Sequence, residues 1–238
     1  MYEPEAANNA YTGFNFEFSE KSIRMGFIRK VYGILMLQLM VTLGIIALFL
    51  YVAPVKEYSH SNPWIWYLAL VLTFVTLIML ACCPDIRRQF PVNFIVLCVF
   101  TVCEGFLLGA ISSHYDQDAV LIAVGITALV SAALTLFAFQ TKWDFTTMGG
   151  LLFVFLIVLF VFGILCAIIQ NRYATLAYAA LGALLFSFYL VFDTQMMIGG
   201  RHKYSISPEE YIFAALNLYL DIVQLFMFIL TIVGNAQD

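Results

Sequence analysis

The stretch Met148–Ile169, MGGLLFVFLIVLFVFGILCAII, decides the fold class of this chain. It runs for about 22 residues without a charged side chain, and a helix of that length rises about 30 Å, the thickness of the hydrocarbon core of a bilayer. The whole chain agrees, with 63% hydrophobic and only 11% charged residues, whereas a soluble domain carries roughly a quarter charged residues. The sequence therefore predicts an all-α integral membrane protein.

Six further apolar runs of similar length accompany this stretch, separated by short polar or proline-bearing breaks. They are Val31–Val52, Trp64–Cys83, Val92–Ser113, Ala119–Phe139, Ala174–Ile198 and Tyr211–Val233. We predict a domain of seven transmembrane helices over residues 31–234, between a polar cytosolic tail of residues 1–30 and a short tail of residues 235–238. The last run is the most polar of the seven, so a re-entrant course is the alternative to a full span.

The basic residues predict the orientation of the chain. Nine of the eleven fall on one side of the membrane: Lys21, Arg24, Arg29, Lys30, Arg87, Arg88, Lys142, Arg201 and Lys203. The positive-inside rule places that side, and the N-terminus, in the cytosol, and it opposes a receptor of the G-protein-coupled kind. The net charge of −4 and the absence of any longer basic cluster than Arg87-Arg88 exclude a nucleic-acid partner.

Three acidic residues fall inside the apolar runs: Glu104, Asp193 and Asp221. Each ionised acid facing lipid would cost about 2.5–3.5 kcal/mol, so we expect all three to face the interior of the helix bundle. Asn217, Asp221 and Gln224 stand at positions i, i+4 and i+7 and therefore share one face of the last helix. These polar side chains are the candidates for an ion path.

Two carboxyls brought close together cannot both ionise cheaply, so they share a proton. We interpret Asp193 and Asp221 as a candidate proton latch, closed by the shared proton and opened by the repulsion that follows its loss. Because calcium prefers carboxylate and amide oxygens, the same pair is a candidate for a transient calcium site. Counting residues from the cytosolic ends of the two runs places the aspartates roughly 7 Å apart in depth. The nearest basic residues follow the second and sixth runs: Arg87, Arg88, Arg201 and Lys203.

Two local patterns complete the chain. Ser207-Pro208-Glu209-Glu210 predicts the start of the last helix, with Ser207 as the N-cap and Glu210 completing an S-x-x-E capping box. The three histidines, His60, His114 and His202, fall in loops without a second ligand at metal spacing, and we expect them to be solvated.

Several of these stretches resemble one known family. They are Phe27–Tyr32 (FIRKVY), Glu104, Phe192–Gln195 (FDTQ), Ser207–Tyr211 (SPEEY) and Ala214–Ile222 (AALNLYLDI). The sequence resembles the Bax-inhibitor family, also called the transmembrane BAX-inhibitor-motif family, and within it the lifeguard branch. The resemblance extends from about Ile23 to Gly234.

The resemblance implies a fold with one central helix surrounded by six, a pH-sensitive calcium leak and suppression of apoptosis. The family's pH-sensing aspartates fall on Asp193 and Asp221. Either Arg87 or Arg88 matches the basic residue that engages that pair in the family, and the choice between them stays open. Glu104 matches a recurring acid of the third helix, which we assign to the ion path. No cofactor is expected, since calcium is the permeating ion. The bilayer and apoptosis-regulating membrane proteins are the expected partners.

Other functions also fit a pair of interior aspartates. An intramembrane aspartyl protease uses such a pair to activate water, but its Gly-x-Gly-Asp sequence is replaced here by Tyr219-Leu220-Asp221 and its Pro-Ala-Leu triplet is absent. A proton-coupled cation exchanger and a non-conducting anti-apoptotic interaction protein stay open. The endoplasmic reticulum, the Golgi or another endomembrane is the expected location, with the plasma membrane as the alternative.

Overall fold

The computed structural model describes residues 4–200 and 202–237, and their side chains from residue 22 to residue 236. Arg201, one of the predicted cytosolic basic residues, lies outside the described residues, and so does the side chain of Lys21. The helices are α1 (Pro4–Tyr51), α2 (Ala53–Ser61), α3 (Pro63–Cys82), α4 (Pro84–Arg88), α5 (Val92–Ser112), α6 (Gln117–Gln140), α7 (Gly149–Ile169), α8 (Arg172–Ile198) and α9 (Tyr211–Gln237). Two turns of 3₁₀ helix, Phe145–Met148 and Pro208–Glu210, precede α7 and α9.

Seven of these helices are long and apolar enough to cross a membrane, namely α1, α3 and α5 to α9. This confirms the predicted all-α class with seven spans, and the chain is an integral, multi-pass membrane protein. Helix α9 is unbroken over its 27 residues and is therefore about 40 Å long. A full span requires an unbroken helix of such a length, whereas a re-entrant hairpin does not, so the structure favours a full span. Helix α1 begins at Pro4, within the segment predicted as a polar tail.

Proline and glycine set the ends of several helices. Pro63 and Pro84 begin α3 and α4, because the first turn of a helix leaves its N–H groups unpaired and proline lacks that donor. Gly199 and Gly200 end α8 with φ angles of 59° and 71°, a left-handed conformation that side chains with a Cβ rarely adopt. The chain turns there into the loop that leads to α9.

Helix α9 is the most enclosed of the seven spans. It packs against α1, α3, α5, α6 and α8, and more than half of its most apolar stretch is buried within the bundle, against about a sixth for α7. Gly182 of α8 lies directly against the ring of Phe228 of α9, with no room for a Cβ, so the two helices approach closely. A helix surrounded by all six others stays a prediction.

Candidate functional site

Asp193 of α8 and Asp221 of α9 face each other across this close helix pair. Both are buried, with 9% and 4% of their surface exposed. The Asp193 carboxyl lies within hydrogen-bonding reach of the Asp221 carboxyl and of the Asn217 side chain. The contact removes the depth offset expected from residue counting. Asp193 lies five residues before the end of α8 and Asp221 ten residues after the start of α9, so these two helix ends do not lie at the same level.

The contact between these two carboxyls depends on a proton. Two ionised carboxylates are both acceptors, so a hydrogen bond forms between them only when one is protonated. Among the described residues, Asp221 Oδ2 is buried without a hydrogen-bond partner of normal geometry. Buried polar atoms are normally paired, so the interior around the aspartates has unused capacity to bind a proton, a water or a cation.

Arg87 and Arg88 lie on a different acid. Arg87 Nε is 2.5 Å from Glu210 Oε2, and Arg88 Nε is 2.6 Å from Glu210 Oε1. The Arg87 guanidinium also lies 4.9 Å from the centroid of the Phe213 ring. Glu210 is eleven residues before Asp221, about 16 Å along the helix. The structure therefore places both predicted gating arginines at the start of α9 rather than at the aspartate pair.

Glu210 is a site residue that the sequence analysis assigned to another role. Ser207 accepts a hydrogen bond from the Glu209 N–H at 3.4 Å, so the predicted N-cap is confirmed. The Glu210 carboxylate does not complete the predicted capping box but binds the two guanidiniums, because hydrogen bonds between charged partners are stronger than a bond to a backbone N–H. Its position on the same predicted side of the membrane as Arg87-Arg88 is the sequence signal that could have indicated this pairing.

Glu104 and Gln224 line a cavity of about 440 Å³ between α3, α5, α8 and α9. Tyr115, Thr175 and Thr231 also contribute to its wall, and they lie toward the end of the bundle opposite Glu210. The predicted ion-path residues therefore fall into two places, since Asn217 contacts Asp193 whereas Glu104 and Gln224 line this cavity. Gln224 is only one helical turn beyond Asp221, so the cavity ends close to the aspartate pair.

The histidines differ in their surroundings. His60 and His114 are exposed, as expected, but their rings stack with centroids 4.8 Å apart. The expectation of solvation is wrong for His202, whose side chain is 2% exposed and lies beside Asp144. The loop after α8 folds back onto the connection between α6 and α7, and this long-range contact buries the ring.

The arrangement offers limited metal chemistry. Within residues 4–200 and 202–237, no group of three or more His, Cys, Asp or Glu side chains converges in a metal-binding arrangement. Calcium takes six to eight oxygen ligands, of which Asp193, Asp221 and Asn217 supply only part. A calcium ion at the pair would therefore keep several waters.

Comparisons with known proteins match most of the chain. The family described as "Inhibitor of apoptosis-promoting Bax1" matches residues 24–238. Protein lifeguard 3 of Mus musculus is 45% identical over 225 residues, which cover 93% of this chain and 72% of that protein, and protein lifeguard 3 of Homo sapiens is 46% identical with the same coverage. The Golgi anti-apoptotic protein of vaccinia virus (strain Lister) is 36% identical over 229 residues, covering 94% of this chain and 93% of the viral protein.

Proposed function

We propose a function from the premise that this chain belongs to the Bax-inhibitor family and, within it, to the lifeguard branch. The protein is an anti-apoptotic membrane protein that acts as a pH-sensitive calcium leak channel of a cellular membrane. The family description and the name of the viral relative support the anti-apoptotic role. The channel activity and its proton control are argued from the residues below.

The observation that carries the proposal is the buried contact between Asp193 and Asp221. A shared proton joins the two carboxyls and holds α8 against α9. When that proton leaves, two carboxylates about 4 Å apart repel each other by about 4 kcal/mol at an effective dielectric constant of 20. An energy of this size is enough to shift a two-state equilibrium between closed and open helices by several hundredfold.

The ion path follows the polar side chains of the interior. Calcium enters the cavity lined by Glu104 and Gln224, passes the aspartate pair with Asn217, and leaves past the ion cluster of Arg87, Arg88 and Glu210. Carboxylate and amide oxygens along this path replace part of the hydration shell of the ion. Deprotonation of the pair both opens the helices and supplies the charge that attracts the cation.

The orientation follows from the basic residues. Arg24, Arg29 and Lys30 precede the apolar run of α1 that starts at Val31, and Arg87 and Arg88 follow α3, so these five lie at one end of the bundle. We place that end, and the N-terminus, in the cytosol. The cavity with Glu104 then opens to the lumen of an endomembrane compartment, and the name of the Golgi relative supports that location.

Calcium efflux from loaded proteoliposomes tests the proposal. We expect efflux from vesicles with the full chain to rise as the pH increases from about 5 to about 8, and Asp193→Asn and Asp221→Asn to remove that rise. Asp116→Asn, at an exposed acid of the α5–α6 loop, is the matched control and keeps the wild-type response. Unchanged flux and pH response in both interior variants would contradict the latch. Efflux that requires a proton gradient would identify an exchanger. The absence of any efflux would indicate a non-conducting protein.

A further inference from the structure

The loop between α8 and α9 is fastened to the connection between α6 and α7 by one carboxylate. Asp144 Oδ1 accepts hydrogen bonds from the Thr146 N–H (3.1 Å) and the Thr146 hydroxyl (2.6 Å), and Oδ2 accepts one from the Lys203 N–H (2.9 Å). The Tyr204 N–H donates to the Thr146 hydroxyl at 3.3 Å. We call these residues, together with His202, the cytosolic clamp.

His202 is the unusual member of this clamp. Its side chain is 2% exposed, yet neither ring nitrogen has a hydrogen-bond partner among the residues that the structure describes. Nδ1 lies 3.4 Å from Asp144 Oδ1, slightly beyond a normal N–H···O bond. A buried orphan nitrogen is costly, and histidine is the side chain that changes charge between about pH 5 and pH 8. Nδ1 faces the Asp144 carboxylate, so the geometry points to a proton on Nδ1 as the missing link between the two side chains.

The Asp144 carboxylate is ionised and can therefore pair with a charged imidazole. The hydrogen bond from the Thr146 hydroxyl, with those from the Lys203 and Thr146 N–H groups, lowers the pKa of Asp144 to about 2. Asp144 is therefore ionised at any cellular pH and presents a fixed negative charge to His202. The other charged side chains on the elements that meet at the clamp are Arg24, Lys142, Lys203 and Glu209, with Arg201 outside the described residues.

The clamp is connected directly to the helix turn that carries Asp193. The fully buried Gln195, two residues after Asp193, donates to the Trp143 carbonyl at 2.9 Å and accepts from the Phe145 N–H at 2.8 Å. The Ile206 N–H donates to the Met196 carbonyl at 2.8 Å. A movement of α8 that separates Asp193 from Asp221 must therefore strain or break these bonds.

We propose that His202 is a second proton-binding site, and that its protonation closes the cytosolic clamp and thereby positions Asp193 against Asp221. At low pH the imidazolium pairs with Asp144 and the loop is held. As the pH rises the charge is lost, the pair disappears and the loop loosens. Both proton sites then favour the closed state when protonated, and His202 reports the pH on the cytosolic side. This inference rests on the proposed function for its link to the calcium leak, but not for the clamp itself.

Hydrogen exchange of the full chain in nanodiscs tests the clamp without any flux measurement. We expect the amides of Lys203 and Tyr204, after correction for intrinsic exchange, to be about tenfold better protected near pH 5.5 than near pH 8, as the gain of one charge-assisted bond implies. His202→Gln removes this difference because glutamine does not titrate. His202→Phe, which fills the buried site with an apolar ring, gives the same result if glutamine prevents folding. His60→Gln, at an exposed histidine, is the matched control and keeps the difference.

Amide protection that does not depend on pH in the wild type, or that changes with pH equally in the His202 variants, would refute His202 as the proton site of the clamp.

The efflux assay distinguishes a failure of the clamp proposal from a failure of the proposed calcium leak. We expect His202→Gln to shift the rise of calcium efflux to lower pH while keeping it, whereas Asp193→Asn abolishes it. If amide protection depends on pH through His202 but the wild-type chain shows no calcium efflux, the leak is contradicted and His202 is supported as a proton site. An unshifted efflux profile in His202→Gln would refute the coupling between the two sites.

Discussion

Two clusters of carboxyl groups fix α9 to its neighbours, and they are built in opposite ways. At its start, Glu210 binds two guanidiniums and every charge has a partner of opposite sign. In its middle, Asp221 meets another acid, and Oδ2 has no further partner among the described side chains. The first cluster holds at any pH at which the acid is ionised, whereas the second holds only with a proton. Under the proposed function, this difference separates an anchor from a switch on the same helix.

The largest effect is expected from giving the interior pair opposite charges, which would make it an ion pair like the cluster at Glu210. We expect Asp221→Lys to form an ion pair with Asp193 and to keep calcium efflux at least tenfold below the wild-type rate near pH 8, because unlike charges replace repulsion by attraction. Efflux from proteoliposomes at several pH values measures this effect. Asp116→Lys, at an exposed acid, controls for the added charge. A variant that keeps a pH-dependent leak would show that repulsion between the aspartates does not open the helices.

The anchor is tested by removing its acid. Glu210→Ala leaves two guanidiniums without their partner, and we expect the free energy of unfolding to fall by about 2 kcal/mol, less than for a fully buried pair because Arg88 is half-exposed. Thermal unfolding in detergent measures the loss. Replacing Arg87, Arg88 and Glu210 together by methionine should recover most of it, since apolar side chains pack without a desolvation penalty. Equal losses in the single and triple variants would contradict an electrostatic anchor.

A smaller effect distinguishes the switch from the cavity that leads to it. We expect Glu104→Gln to lower calcium efflux about fivefold, because one carboxylate supplies part of the field that concentrates cations in a cleft. The pH at which efflux rises should not move, because Glu104 is outside the aspartate contact. Efflux against pH gives both numbers, and a shifted rise would assign Glu104 to the latch instead.

The smallest expected effect concerns Asp144. The pKa of Asp144 is lowered to about 2 in the folded protein, so its contribution to stability is complete above the ordinary range of an aspartate and is lost as the pH falls toward 2. We expect Asp144→Asn to lower the midpoint of thermal unfolding by about 2 °C near pH 6, and by less near pH 3. Thermal unfolding at both values checks this sign. An equal loss at both would mean that the charge of Asp144 is not what stabilises the loop.

Features encoded within one helix could be predicted from the sequence. The seven spans follow from apolar runs that match the bilayer, and the Ser207 N-cap follows from a local pattern. Likewise, the expectation that Asp193 and Asp221 face the interior depends only on the cost of an acid in lipid. These predictions are confirmed because no distant residue decides them.

Features that depend on how helices meet could not be predicted in the same way. Residue counting placed the aspartates at different depths because it assumed that α8 ends and α9 begins at the same level. Arg87 and Arg88 were assigned to the wrong acids because pairing depends on which helix ends are neighbours. The burial of His202 arises from a loop contact with Asp144, 58 positions away in the chain, and no short pattern encodes it.

The unequal enclosure of α7 and α9 bears on how the protein is made. Helix α7 is wholly apolar, so it can leave the translocon and dissolve in lipid without help from any other helix. Helix α9 carries Asn217, Asp221 and Gln224 and follows the other six helices in the chain. Its acid therefore reaches the membrane when Asp193 is already there to receive it.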